Sequence, residues 1–497
     1  RMSVIKKLAG ETVYYGISSI LGRILHFVIL TPFYTDIFPK EDYGLVTILF
    51  TYSAILMVFF SFRMETTFFR YGSDEGNFTK SFSTASLFLF FSTLLFSIPI
   101  WCFSDDIAAL FGLAGQAYYI KLIVLIISFD TLAAIPFAKL RLKNRPKKFA
   151  ALKILNVLIN LFFVLLFLWY IPNYGSTSMQ SMQQSMNLDG SGIVFVFWSG
   201  MIASTLIFLF LLMEYRGIQL KFDLALWKKM LKYTFPLVLV GLCSVFNKEA
   251  GYLLLEYLSL GSAEENYSVV GIFSANVKLA VIMSLFTQAY NYAVEPFFFN
   301  NKNKSGNKQL YADSALLYII VTSLAFVGIM ALLPILKLII RNEEMYVGLG
   351  VVPYMLFAFI LLGIYYNLSV WFKLTDRTIY ASYIAVAGAV VTAVVAVITI
   401  PMFSYYGVAY AALACYLLMI GLSYSFGRRF YPIPYDVKGA LFYLATALLL
   451  NYVRTFIVDL LSPNLFAELA IGIATALAFI TMVFLKERAF LKRILGK

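Results

Sequence analysis

Charge is what this 497-residue sequence has least of: 13% of its residues are charged, against about a quarter in a soluble domain. The surface of a water-soluble protein of this length cannot be built from 26 acidic and 39 basic residues, so that class is excluded. Histidine is nearly missing. His26 stands alone, which leaves no Ser/His/Asp set and no histidine-bearing metal cluster, and acid–base chemistry would have to rest on carboxylates. Cysteine is almost as scarce. Cys102, Cys243 and Cys415 each lie within or at the edge of an apolar segment, with neither a disulfide framework nor metal-ligand spacing. No Gly-rich phosphate loop ending in Lys-Ser/Thr occurs.

What remains is hydrophobic: 61% of residues are apolar and 18% aromatic. A bilayer-crossing helix needs about 20 mainly apolar residues. By that ruler spans are predicted near 12–38, 43–63, 81–103, 118–138, 150–171, 192–213 and 233–258. Seven more follow near 269–297, 311–334, 350–372, 379–402, 405–427, 439–460 and 466–485. The first stretch is too long for a signal-peptide core and lacks a small-residue cleavage site, so it is expected to be retained. Turn chemistry and polar clusters separate the spans, as in Phe-Pro-Lys-Glu-Asp-Tyr-Gly at 38–44 and Tyr-Pro-Ile-Pro-Tyr at 431–435. With no water in the hydrocarbon core to satisfy the backbone, such a pattern makes helices. The expected fold is an all-α membrane protein of about fourteen transmembrane helices.

Basic residues orient the set. Thirty of the 39 fall in segments that share one side, whereas the opposite loops carry Lys40, Lys337 and Arg341. This bias fits the positive-inside rule with both termini cytoplasmic, and it requires an even number of spans. The net charge of +13 is then a topology signal and a contact with anionic membrane lipids, not a nucleic-acid footprint.

The chain is expected to divide into 1–213 (six spans), a cytoplasmic linker 214–232, 233–430 (six spans) and 431–497 (two spans and a basic tail). Leu-Ala-Leu-Trp-Lys-Lys-Met-Leu-Lys in the linker reads as an amphipathic helix lying on the membrane. The polar loop 173–192 reads as loosely packed or disordered. The two halves repeat weakly. Asp-Tyr-Gly-Leu-Val (42–46) answers Asn-Tyr-Ser-Val-Val-Gly-Ile (266–272), Glu65 answers Glu295, and Arg23 answers Lys248. Parallel repeats build two lobes in many transporters.

Tyr-Gly-Ile-Ser-Ser-Ile-Leu-Gly-Arg-Ile-Leu (15–25) with Thr-Pro-Phe-Tyr-Thr-Asp-Ile-Phe-Pro-Lys-Glu-Asp-Tyr-Gly (31–44) resembles the opening of the polysaccharide-transporter family. These are the O-antigen and capsule flippases of the multidrug/oligosaccharidyl-lipid/polysaccharide exporter superfamily. Met-Glu-Thr-Thr-Phe-Phe-Arg (64–70), Arg-Pro-Lys-Lys-Phe (145–149), Lys-Ile-Leu-Asn-Val-Leu-Ile-Asn (153–160) and Ala-Val-Glu-Pro-Phe-Phe-Phe (293–299) are similar to that family too. Where many relatives carry a Ser-Asp-Arg-like stretch, this chain has Phe-Asn-Lys-Glu-Ala-Gly-Tyr (246–252). The resemblance implies two pseudo-repeated six-helix lobes in a V, plus two C-terminal helices. It further implies flipping of an undecaprenyl-diphosphate-linked oligosaccharide from the inner to the outer leaflet. A monomer without cofactors in a bacterial inner membrane is expected, with H+ or Na+ coupling as an option. A lipid II-type flippase or a drug/cation antiporter of the same superfamily is the alternative. A membrane polymerase or ligase on the same carrier would need charged residues in a substantial outside domain, and the longest outside loop has no Lys, Arg or His.

Charges at membrane depth are costly and face protein or a wet cavity. Arg23 lies about 17 Å into the first span at 1.5 Å per residue, where a guanidinium could grip a diphosphate bidentately. A structural pair with Asp130 is the competing reading. Lys248 is the matching cation, while Lys278 could meet substrate or pair with Glu249 and Glu256, which share a helix face. Asp130 could bind a coupling ion or proton, or neutralise Arg23. Glu65 and Glu295 stand at cytoplasmic ends where gating is expected. Arg63 and Arg70 could meet the headgroup, although topology alone explains them. His26 reads as a packed helix residue.

Overall fold

The computed structural model of the chain describes residues 22–73, 75–219, 221–300, 307–375, 377 and 379–487, with the side chains at 75, 292, 293, 295–300, 307 and 373 outside that description. Among the described residues every regular element is helical. A π-turn at His26–Leu30 leads into α1 (Thr31–Ile37), then α2 (Lys40–Ser61), α3 (Met64–Gly72), α4 (Phe78–Cys102), α5 (Ser104–Leu110) and α6 (Ala117–Leu142). Next come α7 (Pro146–Leu165), a π-turn at Leu166–Tyr170, α8 (Ile171–Tyr174), α9 (Thr177–Met186), α10 (Ile193–Leu211) and α11 (Leu224–Leu258). The chain continues through α12 (Ala263–Asn300), α13 (Asn307–Leu336), a 3-10 stretch Glu343–Val351, α14 (Val352–Leu368) and α15 (Val370–Leu374). It ends with α16 (Ile379–Phe403), α17 (Tyr405–Phe430), α18 (Val437–Leu461) and α19 (Leu465–Lys486).

Thirteen helical stretches, from Lys40–Gly72 to Leu465–Lys486, are long and apolar enough to cross a membrane. They answer one for one to the second through fourteenth expected spans, and the start of the first lies outside the described residues. The protein is an all-α, multi-pass membrane protein. Pro99, Pro136, Pro236, Pro334 and Pro401 all sit inside helices, which lipid-embedded helices tolerate because neighbouring groups re-satisfy the backbone. Several hydroxyls bond back to their own helix: Thr51 Oγ1 donates to Thr47 O at 2.9 Å and Thr392 Oγ1 to Gly388 O at 3.0 Å.

Two sequence expectations are corrected. Residues 224–232 are not a separate surface helix. They are the first turns of the 35-residue α11, which Asp223 caps by accepting from Leu226 N at 2.9 Å. Amphipathic composition alone does not end a helix, and Pro236, the break signal that follows Lys232, is carried inside the helix. The loop 173–192 is ordered, not loose. Ser176 caps α9, and the Asp189 carboxylate accepts from Tyr119 Oη at 2.5 Å, Gly192 N at 2.9 Å and Val194 N at 2.7 Å. One acidic residue therefore caps α10 and ties it to α6.

The chain forms two compact units, Arg1–Leu30 with Ile37–Gly271, and Thr31–Asp36 with Ile272–Lys497. In the first unit, Met64, Phe68, Phe82 and Met230 form a fully buried cluster that joins α3, α4 and α11. Helices α2 and α12 cross at two glycines: a Cβ on Gly44 would strike the Tyr267 carbonyl, and one on Gly271 the Lys40 carbonyl. These are the glycines of the repeated Tyr-containing motifs, so the sequence repeat marks a close backbone approach. In the second unit, Tyr365, Ile384, Cys415 and Tyr416 form a core between α14, α16 and α17. The first helix joins this unit through Arg341 N, which donates to Thr35 Oγ1 at 3.0 Å.

Candidate functional site

Within the first unit, α2–α3 and α11 run antiparallel. Tyr52 Oη meets Tyr257 Oη at 2.7 Å, Thr234 Oγ1 donates to Phe62 O at 2.6 Å, and Tyr71 Oη donates to Lys229 O at 3.3 Å. Along this seam polar and charged groups recur at three levels. At one end Glu256, 8% exposed, accepts from Tyr52 Oη at 3.4 Å and from the Tyr267 hydroxyl. The Tyr52 ring packs on Phe111 with centroids 4.4 Å apart. In the middle, Lys248 Nζ pairs with Glu249 Oε1 at 2.7 Å, and the lysine side chain is 66% exposed. Lys248 stands ten residues before Leu258, about 15 Å from the helix end at 1.5 Å per residue.

At the third level Phe62 and Arg63 take left-handed backbone conformations, with φ of 47° and 51°. Each costs about 1–2 kcal/mol for an L-residue, and together they break α2 from α3. The break aims the Arg63 guanidinium at α11, where Gly241 makes room: a Cβ there would stand 2.5 Å from Arg63 Nε. Strain of this kind persists where surrounding structure holds it, and it concentrates at functional sites. About two helical turns further on, the Arg70 guanidinium lies over the Tyr233 ring at 4.3 Å. The seam thus presents Lys248, Arg63 and Arg70 on adjoining helices, which is chemistry suited to an anionic group.

A second constellation joins α6, α7 and α10. Asp130 takes a hydrogen bond from the Ser204 hydroxyl and faces the charge of Lys153. The Lys153 ammonium lies over the Phe137 ring at 4.2 Å and also feels Glu65 and Arg141, which pair at 2.8 Å. Glu65 is therefore held by an ion pair at the end of its span. Close by, Glu214, only 4% exposed, is clamped by Lys148 at 2.5 Å and Lys139 at 3.1 Å. Lys139 at the end of α6 and Lys148 at the start of α7 thus hold the turn that follows α10.

Of the remaining residues singled out from sequence, Arg23 is exposed in the helical turn at 22–25, and His26 is half-buried in the π-turn beside it. Lys278 is half-buried on α12 in the second unit. Glu295 falls on α12 where side chains lie outside the described residues. Sequence reasoning passed over Lys153, Glu214, and the pair of Arg454 with Glu468 at 3.0 Å. The signal was present: Lys153 and Arg454 stand inside expected spans, 150–171 and 439–460, and an intramembrane charge asks for a partner.

The comparisons with known proteins agree with this architecture. A sequence profile described as polysaccharide biosynthesis protein matches residues 8–302. No curated protein sequence matches at a significant level. Among solved structures, a lipid II flippase MurJ in an inward closed conformation superposes with a TM-score of 0.73 at 16% identity, covering 95% of this chain and 99% of that one. An inward-facing multidrug resistance MATE family transporter of the MOP superfamily gives 0.61 at 12% identity, covering 84% and 94%. An outward-facing one gives 0.59 at 13%, covering 85% and 95%. At these identities the likeness establishes the fold.

Proposed function

The chain belongs to the polysaccharide biosynthesis protein family, and on that premise we propose that it is a flippase of lipid-linked oligosaccharide. It moves an undecaprenyl-diphosphate-linked glycan from the cytoplasmic to the periplasmic leaflet of a bacterial inner membrane, with both termini cytoplasmic. Residues 1–213 and 233–430 act as the two lobes of an alternating-access cycle, and no bond of the substrate is broken. The observation that carries this reading is the exposed Lys248 at mid-helix, with Arg63 and Arg70 further along the same seam. A headgroup diphosphate is the anion that a flippase must carry through the bilayer, and cations at that depth lower its cost. Arg63 and Arg23 make bidentate contacts, Lys248 adds point charge, and Asp130 is the site of any coupling to H+ or Na+.

A lipid II-type substrate is the second reading, favoured by the near-complete overlap with a lipid II flippase compared with the partial overlap with the MATE transporters. The experiment is the lipid profile of a deletion strain together with flipping by the purified chain in proteoliposomes. Accumulation of a surface-glycan intermediate on the cytoplasmic leaflet, and its translocation in vesicles, supports the first reading. Accumulation of lipid II alone selects the second. A deletion strain with unchanged lipid-linked glycans, and vesicles without flipping, refutes both.

A further inference from the structure

Inside the second unit, α13, α14, α17 and α18 leave a cavity of about 240 Å³. Its wall is almost wholly apolar, from Ala315 and Leu316 to Leu361 and Leu444. The cavity is open sideways: Leu417 and Leu441 on its rim are 55% and 62% exposed, and Gly421 between them has nothing within 4 Å of the place a Cβ would take. Most polar groups on the wall are already used within the protein. Asn367 accepts from Tyr290 Oη at 2.8 Å and donates to Gly363 O at 3.0 Å, while Asp436 caps α18 by accepting from Gly439 N at 2.9 Å. Tyr435 also lines the cavity, and its hydroxyl is buried with no hydrogen-bond partner among the described residues. A buried, unpaired hydroxyl costs about 1–3 kcal/mol, so a ligand oxygen there would be favoured.

The same end of these helices carries exposed cations. Leu417, Gly421, Tyr424 and Arg428 follow one stripe of α17 at three- and four-residue spacing; the exposed Arg428 lies 6.0 Å from the ring of the lining Tyr424, and the exposed Lys438 directly follows the lining Val437. We propose that this slot binds one acyl chain of an anionic phospholipid from the leaflet on that side, with Tyr435 donating to an ester or phosphate oxygen and Arg428 and Lys438 holding the phosphate. A hydrocarbon wall calls for a hydrocarbon chain. The sideways opening admits it from the bilayer, and the cations at the mouth select negative charge. The bound lipid bridges α17 to α18, joining the last helix pair to the rest of the unit. This inference does not depend on which solute the protein moves.

The test uses the full chain, delipidated and then titrated with phosphatidylglycerol or phosphatidylcholine, with bound lipid counted by native mass spectrometry and a thermal melt alongside. Each cation near a membrane surface favours an anionic lipid by about fivefold, so the wild type should prefer phosphatidylglycerol by about 25-fold. Arg428→Gln with Lys438→Gln should bring that preference near unity while phosphatidylcholine still binds. Tyr435→Phe should weaken both lipids about equally. Gly421→Leu should abolish binding of both without lowering the lipid-free melt, because the leucine enters open space and leucine is the better helix former. Retention of phosphatidylglycerol by Gly421→Leu overturns the proposal, as does an absence of preference in the wild type. Displacement of phosphatidylglycerol by equimolar undecaprenyl phosphate would assign the slot to the substrate's own tail and overturn it too.

Discussion

Replacing Gly44 or Gly271 with alanine tests the close backbone approach of α2 and α12. In an ordinary helix interior, Gly→Ala stabilises by up to about 1 kcal/mol. Here the added methyl on Gly271 would press on the Lys40 carbonyl and the Gly44 N–H, and that on Gly44 on the Tyr267 carbonyl. Both obstacles are backbone, so neither can rotate away and α2 and α12 must separate. Overpacking of this kind costs about 1–3 kcal/mol. The two effects have opposite sign, so the direction of the change decides the matter. Gly328→Ala is the internal control, because Gly328 lies within α13 with nothing within 4 Å of its Cβ position. In thermal melts of the purified full chain, Gly328→Ala should match or exceed the wild type, whereas Gly44→Ala and Gly271→Ala should both melt lower. The double variant should cost less than the sum of the singles, because one separation relieves both clashes. If either crossing variant melts at or above the Gly328→Ala control, the crossing is not tight and the reasoning fails.

Three further perturbations bear on the site and the topology. Lys153→Met or Asp130→Asn alone should lower stability by about 1–3 kcal/mol, because each removes the group of opposite sign that the other faces, and the double variant should recover most of it; a wild-type melt for Lys153→Met refutes that coupling. Arg63→Gly should raise the melt, since glycine takes φ of 51° without strain, yet lower flipping per folded molecule; full flipping by that variant dismisses Arg63 as a headgroup contact, and Arg63→Lys should fall between. In a cysteine-free background, a cysteine at Met182 on α9 should react with an impermeant thiol reagent from outside and one at Arg145 should not, and labelling at 145 would falsify the ends-inside topology.

Span number, helical class and membrane residence were legible in the sequence because each depends on local composition. Twenty apolar residues in a row have one stable backbone solution in lipid, whatever surrounds them. The glycine repeat was legible too, since close approach of two helices leaves only a residue without a Cβ. Tertiary structure decided the partners. Asp130 faces Lys153 and Ser204, Glu65 meets Arg141, and Glu256 is held by tyrosines from α2 and α12. No spacing rule links residues 65 and 141, because which helix faces of a bundle meet depends on the packing of every other helix. The ordering of residues 173–192 was hidden for the same reason: its polar composition reads as loop, and only the meeting of Asp189 with the hydroxyl of Tyr119, 70 positions away, turns it into a clasp. The strained bend at Phe62–Arg63 belongs to the same class. Neither residue favours a left-handed backbone, so their sequence gives no sign of it, and the contacts of Thr234 and Gly241 from α11 hold them there.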